Sequence, residues 1–298
     1  MLATRMRMSG AHSNPLLWSI PEGAVLFGED GSQLVAQGDA VHDVECSVGM
    51  VVFRSTGTYS FVIPENFNDH YATAVVLVVA GGGGGSHSTS YNAGGGGGAG
   101  GLRRFNTYAV APGVHTVIVG AGRAAGWNNS HLHTGGNSQF SGITCTGGGN
   151  AGGAGGDHPP ADGGSGGGPG GWDAGPSMDG GSGISGQGYR GGNRPANNPY
   201  GRGGGGKAGA ASDSTWNSTG PGQTHFGTLY SRGGRGGSGA TGTSDGANGA
   251  IYCGHGGGGA QRGESTGDNR GGDGSQGIVI MCFGGFNKNY NPATNTCS

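Results

Sequence analysis

Glycine spacing constrains this chain more than any other feature. Seventy-eight of its 298 residues are glycine; only seven lie in residues 1–80 and 71 in residues 81–298. At that density an α-helix loses about 1 kcal/mol of stability per site, so helices cannot form the body. Glycine instead recurs every third position. Gly94, Gly97 and Gly100 form one series and Gly149, Gly152 and Gly155 another. Further series are Gly164, Gly167 and Gly170; Gly180, Gly183 and Gly186; Gly233, Gly236, Gly239 and Gly242; and Gly271, Gly274 and Gly277. Three residues per turn is the repeat of the polyproline-II helix, which rises about 3.1 Å per residue and makes no internal hydrogen bonds. A buried helix of that kind must bond sideways to its neighbours. Collagen is one such arrangement, but the register here breaks often and there are only 12 prolines. The remaining arrangement is a bundle of polyglycine helices, whose backbones approach closely because no Cβ intervenes. The expected structural glycines are Gly152, Gly155, Gly164, Gly167, Gly183, Gly186, Gly233, Gly236 and Gly239.

Such a bundle needs an anchor, and strand patterns supply one. Residues 24–27 and 33–37 flank a Gly28-Glu29-Asp30-Gly31 turn and predict a hairpin. Residues 48–53 predict a strand, and residues 58–63 alternate with Tyr59, Phe61 and Ile63 on one face. Residues 71–80 read as a strand buried on both faces. Within the glycine-rich part, residues 102–110, 114–120, 138–145, 250–254 and 277–283 also read as strands. The first two of these are joined by a Pro112-Gly113 turn.

Charge narrows the function. Fifteen Lys and Arg stand against 17 Asp and Glu, without the basic excess of a nucleic-acid binder. The Arg232-Gly-Gly-Arg235 stretch is too short to change that reading. The longest apolar run, residues 74–80, is too short to span a bilayer, and no continuous apolar leader precedes Pro15. The expectation is a chain made without export and not inserted in a membrane. Five widely spread cysteines form no CxxC pair and predict free, partly buried thiols, with an interchain disulfide in an assembled particle as the alternative. Residues 118–125 imitate a dinucleotide fingerprint, but no helical pattern follows. Gly206-Lys207 is followed by Ala208 where a phosphate loop needs Ser or Thr. His131 and His133 are spaced to share a metal, yet no Cys, Asp or Glu nearby completes a set. No catalytic constellation, cofactor or metal is expected. The conspicuous side chains are aromatic: Trp127, Trp172, Tyr189, Tyr200 and Trp216 interrupt the glycine tracts among Asn, Asp, Pro and Ser. Rigid aromatics in turns suit recognition, and they equally suit capping of the glycine bundle.

The order of these segments resembles a known family. A run of five valines and leucines into five glycines (residues 74–85) is followed by residues 102–110, Pro112-Gly113, and residues 115–122, 138–149 and 277–285. Over roughly residues 48–285 this is similar to the glycine-rich domain of bacteriophage tail and fibre proteins. It also resembles the glycine-rich region of the anaplastic lymphoma kinase receptor, and the polyglycine spacing resembles that of distal tail-fibre adhesins. The resemblance implies a mainly β fold: a jelly-roll-like β-sandwich carrying inserted polyglycine-II helices, with almost no α-helix. It implies a non-catalytic virion protein of the tail or fibre, whose loops between polyglycine helices touch a bacterial cell-surface receptor, protein or polysaccharide. The alternative is a purely structural virion subunit, a decoration or fibre-joint protein. Other virion subunits are the expected partners, and a homo-oligomer is compatible with the sequence. Residues 1–47 are expected to form a docking or hairpin segment, residues 48–285 the glycine-rich domain, and residues 286–298 a tail.

Overall fold

The computed structural model describes residues 17–20, 24–28, 33–35, 42–45, 48–70, 72–125, 134–156, 158–238, 245–251, 253–262 and 269–283. Among them the fold is mainly β. The strands in chain order are β1 (Leu17–Ile20), β2 (Ala24–Gly28), β3 (Gln33–Val35), β4 (His42–Glu45), β5 (Val48–Phe53), β6 (Gly57–Ile63) and β7 (Ala74–Val79). They continue with β8 (Leu102–Tyr108), β9 (Gly113–Val119), β10 (Ser138–Phe140), β11 (Ile143–Cys145), β12 (Gln223–His225), β13 (Thr228–Tyr230) and β14 (Ile278–Phe283). One helical turn, Phe67–His70, and a 3-10 turn, Ala154–Gly156, are the helical pieces.

Two six-stranded antiparallel sheets result, ordered β11-β10-β9-β6-β1-β4 and β3-β2-β5-β14-β7-β8. Their facing sides share one core. Phe61, Ile63, Val117, Val119 and Phe140 from the first sheet pack with Val51, Phe53, Val76, Val78, Val279 and Met281 from the second. Phe53 meets Phe61 edge-on at 5.4 Å between ring centres, and Tyr108 meets Phe140 at 6.0 Å. The alternation in β6 places Phe61 and Ile63 in this core, with Tyr59 packed at its margin. The back of the second sheet carries a second core of Met50, Val52, Leu77, Val79, Ile278 and Ile280. Tyr230 and Cys253 cover it. β14 is therefore buried along its whole length, between β5 and β7, which explains why both it and β7 read as unbroken apolar runs.

Several sequence expectations change. Residues 138–145 are two strands, not one: Ser141 (φ 43°) and Gly142 (φ 84°) turn β10 into β11, the left-handed pair that a two-residue hairpin turn needs. Where residues 250–254 were expected to form a strand, Ile251, Cys253 and Gly254 are turn residues. The β12–β13 hairpin was not expected, because Phe226 (φ 50°) stands where Asn or Asp usually begins such a turn. Residues 17–45 add four strands to the sheets: β1 pairs with β6 and β2 with β5. The predicted hairpin of residues 24–37 is present as β2–β3.

The glycine tracts form a laterally bonded lattice. In the segment that leaves β7, successive N–H groups point to different neighbours. Gly82 donates to Ser275 O and Gly85 to Gly272 O, at 2.8 and 2.9 Å. Gly83 donates to Gly98 O and Ser86 to Gly95 O. Gly81 and Gly84 use the third direction, toward Gly136 O and the Asn150 Oδ1. Each direction repeats after three residues, as a threefold extended helix requires. The returning segment does the same: Gly94, Gly97 and Gly100 donate to Ala260, Gly257 and Gly254, while Gly96 and Ala99 donate to Arg202 and Gly205. Further rods at residues 147–152, 164–171, 201–206, 233–237, 254–260 and 271–277 interlock in the same way.

Sterics explain the composition. A Cβ on Gly97 would lie 2.2 Å from the carbonyl oxygen of Gly83, and one on Gly83 2.2 Å from that of Gly149. Gly164, Gly167, Gly233 and Gly236 are similarly enclosed by backbone, and Gly152 is crowded by His158 O and Pro160. Gly183 bridges Gly163. Gly155 and Gly186 depart from the expectation: their φ values of 80° and 76° make them turn glycines outside the rods, where a Cβ would meet only Asn92 Nδ2 at 3.9 Å on Gly155 and open space on Gly186. Gly239 lies outside the described residues.

Two buried histidines join hairpin, sheet and lattice. The His255 backbone N–H donates to Ser275 Oγ, and its Nε2 faces Leu229 O at 3.1 Å. His225 Nδ1 lies 2.9 Å from Arg104. Burial is the main force pushing both down from 6.5 to about 4; Arg104 and Lys207 add to it at His225, and Arg232 at His255. The free thiols Cys145 and Cys282 are buried and pushed up to about 12, again chiefly by burial. Cys253, contrary to the expectation of free thiols, is disulfide-bonded.

Two outcomes follow from this packing. Gly97→Ala is expected to destabilise the fold by about 1–3 kcal/mol or more, read as a drop in thermal midpoint; Ala210→Ser, on an exposed residue, should leave the midpoint unchanged. Because the unfolded histidines take up protons below about pH 6.5 and the folded ones only near pH 4, stability is full above pH 6.5. It then falls as pH drops through that window, by up to about 1.4 kcal/mol per unit for each histidine. Thermal midpoints across pH 4–7 should show that decline, less steeply in His255→Gln.

Candidate functional site

The rods fix where the loops end up. Ala80 bonds Gly101 beside the sheet, and six residues further out Ser86 bonds Gly95, about 19 Å away at 3.1 Å per residue. The loop joining these two rods, residues 87–93, is therefore carried at the far end. Gly171 N–H donates to Ala93 O, Ala93 N–H to Pro199 O, and Trp172 N–H to Asn198 O. Asp173 N–H donates to Asn92 Oδ1. These bonds gather the turns around residues 92, 172 and 199 onto the same end. The next rod begins there: Gly201 N–H donates to Gly237 O, and Gly237 N–H to Gly94 O.

Three aromatic arrangements stand on this end. Tyr200 stacks on Trp216 with ring centres 6.3 Å apart and planes 24° from parallel, each just over a third exposed. Tyr91, 64% exposed, carries the Arg262 guanidinium 5.8 Å from its ring centre. Arg262 is fixed by its Nε donating to Ser90 O and its N–H to Ser238 O. The third arrangement is more closed. Trp172 lies over Gly156 and Gly175, where a Cβ on either would strike its ring. Arg194, 1% exposed, has its guanidinium 5.9 Å from the centre of that ring and donates to Gly170 O and Pro176 O, each at 2.6 Å. Burial, helped by Arg202, lowers the pKa of that guanidinium; it belongs to neither ion pair found among the described residues, and carbonyl oxygens solvate its charge. Trp172 and Arg194 thus clamp the 172–178 turn to the lattice.

The aromatics singled out in the sequence therefore separate. Tyr200 and Trp216 come together and Trp172 lies on the same end. Tyr189, 53% exposed, is elsewhere: its carbonyl accepts from Gly166 and its N–H donates to Gly206 O, at the sheet end of the rods. Trp127, His131 and His133 lie outside the described residues. Sequence reasoning missed Tyr91, Arg262 and Arg194. Tyr91 falls between Ser90 and Asn92 in a polar break of the kind that flagged the other aromatics, so that signal was available; Arg194 carries none.

On one flank Arg190 and Asp213 form a two-point ion pair at 2.8 and 2.9 Å, further tied by Asn193 N–H to Asp213. Hydrogen bonding from Arg190 holds the Asp213 carboxyl below the usual range. Among the described residues no group of three or more His, Cys, Asp or Glu is placed to hold a metal ion, and no helix is long and apolar enough to cross a membrane.

No curated protein matches the chain. The profile of one family, described as a glycine-rich domain, matches residues 54–283, which takes in β6 through β14 and every rod of the lattice. With well over half of its length matched, the chain belongs to the glycine-rich domain family.

Proposed function

We propose that this chain is a non-catalytic bacteriophage virion protein of the tail or fibre, which displays binding loops on a rigid polyglycine scaffold for attachment to a bacterial cell surface. The observation that carries the reading is the Tyr200–Trp216 pair, each ring just over a third exposed, held with Tyr91 at the end of rods whose every turn is bonded to neighbours. Aromatic side chains with few rotatable bonds, already fixed in place, lose little entropy on binding. The sheets at the opposite end hold the rods in register and leave that end to other virion subunits. Membership of a glycine-rich domain family is compatible with this reading.

A purely structural role has one specific observation in its favour: Trp172 is folded onto glycines and clamped by Arg194, as a cap would be. That assignment covers Trp172 and not the Tyr200–Trp216 pair. The purified chain is expected to bind cells of at least one strain in a bacterial panel. The double variant Tyr200→Ala, Trp216→Ala should lose tenfold or more of that binding while keeping its thermal midpoint. A chain that binds no cells, or a double variant that binds as well as the parent, rejects the attachment role.

A further inference from the structure

A second concave surface lies away from the far-end loops, where the lattice meets the edge strand β8. Two adjoining cavities of about 710 and 700 Å³ share Gly186, Lys207 and Gln223 as a common wall. Each is of a size that takes a small ligand, and together they make an elongated groove. Its charge is one-sided. Arg103, Arg104, Lys207 and Arg190 line it, and among the described residues no carboxylate does. Of these four, Arg190 is in an ion pair, while Arg103, Arg104 and Lys207 belong to neither ion pair found among the described residues.

The cations are held in place. Arg104 lies 5.2 Å from the centre of the Phe226 ring and donates from Nη1 to His225 Nδ1 at 2.9 Å. Lys207 Nζ donates to Gly186 O at 2.6 Å. Since Nδ1 of His225 accepts, the ring proton sits on Nε2, and that atom is buried without a hydrogen-bond partner. His225 is only 6% exposed and lines the groove. A buried donor left unpaired is costly, and His225 accepts that cost while its Nδ1 holds Arg104 at the groove wall. Burial, with the Arg103 charge beside it, pushes the Lys207 ammonium toward its neutral form; a bound anion relieves that repulsion. The remaining surface is suited to sugar: Tyr189, more than half exposed, offers a ring face, and Asn106, Gln223 and Ser182 offer amide and hydroxyl groups.

We propose that this groove binds an acidic oligosaccharide, with Arg103, Arg104 and Lys207 pairing with its carboxylate or sulfate groups and Tyr189 stacking on a sugar ring. The assignment does not depend on the far-end loops or on the attachment role. An edge strand also gains from positive charge as protection against strand pairing, but that purpose requires neither a concave surface nor side chains fixed by Phe226 and Gly186. A nucleic acid is the less favoured anion, because the chain as a whole carries no basic excess.

Calorimetric titration of the full chain tests this with a uronic-acid tetrasaccharide, a sulfated tetrasaccharide, a neutral tetrasaccharide, inorganic phosphate and a short single-stranded DNA. At least one acidic tetrasaccharide should bind at sub-millimolar concentration and tenfold or more tighter than the neutral one, with affinity falling as salt rises. Lys207→Gln and Arg103→Gln should each weaken it tenfold or more, and Arg235→Gln, on the lattice surface, should not. Tyr189→Ala should weaken tetrasaccharide binding and leave phosphate binding unchanged. Equal affinity for neutral and acidic sugars, no acidic-sugar binding by the folded parent, or tighter binding of the DNA would each overturn the assignment. Should either charge variant fail to fold, the parent's ranking of the five ligands still decides the question.

Discussion

The lateral hydrogen bond between polyglycine rods is the interaction on which the structure rests. Rods such as residues 81–86 and 94–101 have no internal bonds, so their N–H groups depend on neighbouring segments, successive ones on different neighbours. Ordering a backbone costs roughly 1–2 kcal/mol per residue, and a hydrogen bond returns roughly 0.5–1.5 kcal/mol net. A lattice of bare backbone therefore comes near to balance at best. What tips it is apolar burial, which here is concentrated in the two sheets and their paired cores. The covalent connections make that burial effective: β7 runs directly into the rod at 80–86, the rod at 94–101 into β8, and the rod at 271–277 into β14. Sheet register thereby sets rod register.

This division of labour explains where side chains can appear. Inside the lattice a Cβ meets a carbonyl at about 2 Å, so chemistry is confined to places where rods end. Those are the far-end loops with Tyr91, Tyr200 and Trp216, and the flank where rods meet β8 and the β12–β13 hairpin. Both surfaces have rigid backing, with Arg194, Arg262 and Arg104 each locking an aromatic neighbour. Arginine is the side chain fitted to this, since its planar head can stack on a ring and bond carbonyls at once.

Much of the fold was legible because its signals are local. Triplet glycine gave the rods, and the apolar runs of β7 and β14 gave the strands buried on both faces. The β10–β11 turn was hidden because Ser141, not Gly or Asn, takes the left-handed φ of 43°; the β12–β13 turn was hidden by Phe226 in the same way. Gly155 and Gly186 fit the triplet spacing yet serve turns, because spacing alone does not reveal φ. The surfaces were less legible than the scaffold. Aromatic residues in polar breaks pointed to loops, but which loops share an end depends on the direction each rod runs, and no single segment encodes that. The basic groove joins Arg103, Arg104, Tyr189 and Lys207 with a hairpin that the sequence did not announce.

Amide hydrogen exchange measured residue by residue on glycine-labelled protein addresses the central claim most directly. Amides of Gly81, Gly83, Gly97, Gly98 and Gly257 should exchange as slowly as those of β7 and β14, since lattice and sheets open together. Exchange of these glycines at the rate of unstructured chain, with the strands still protected, would contradict the lattice.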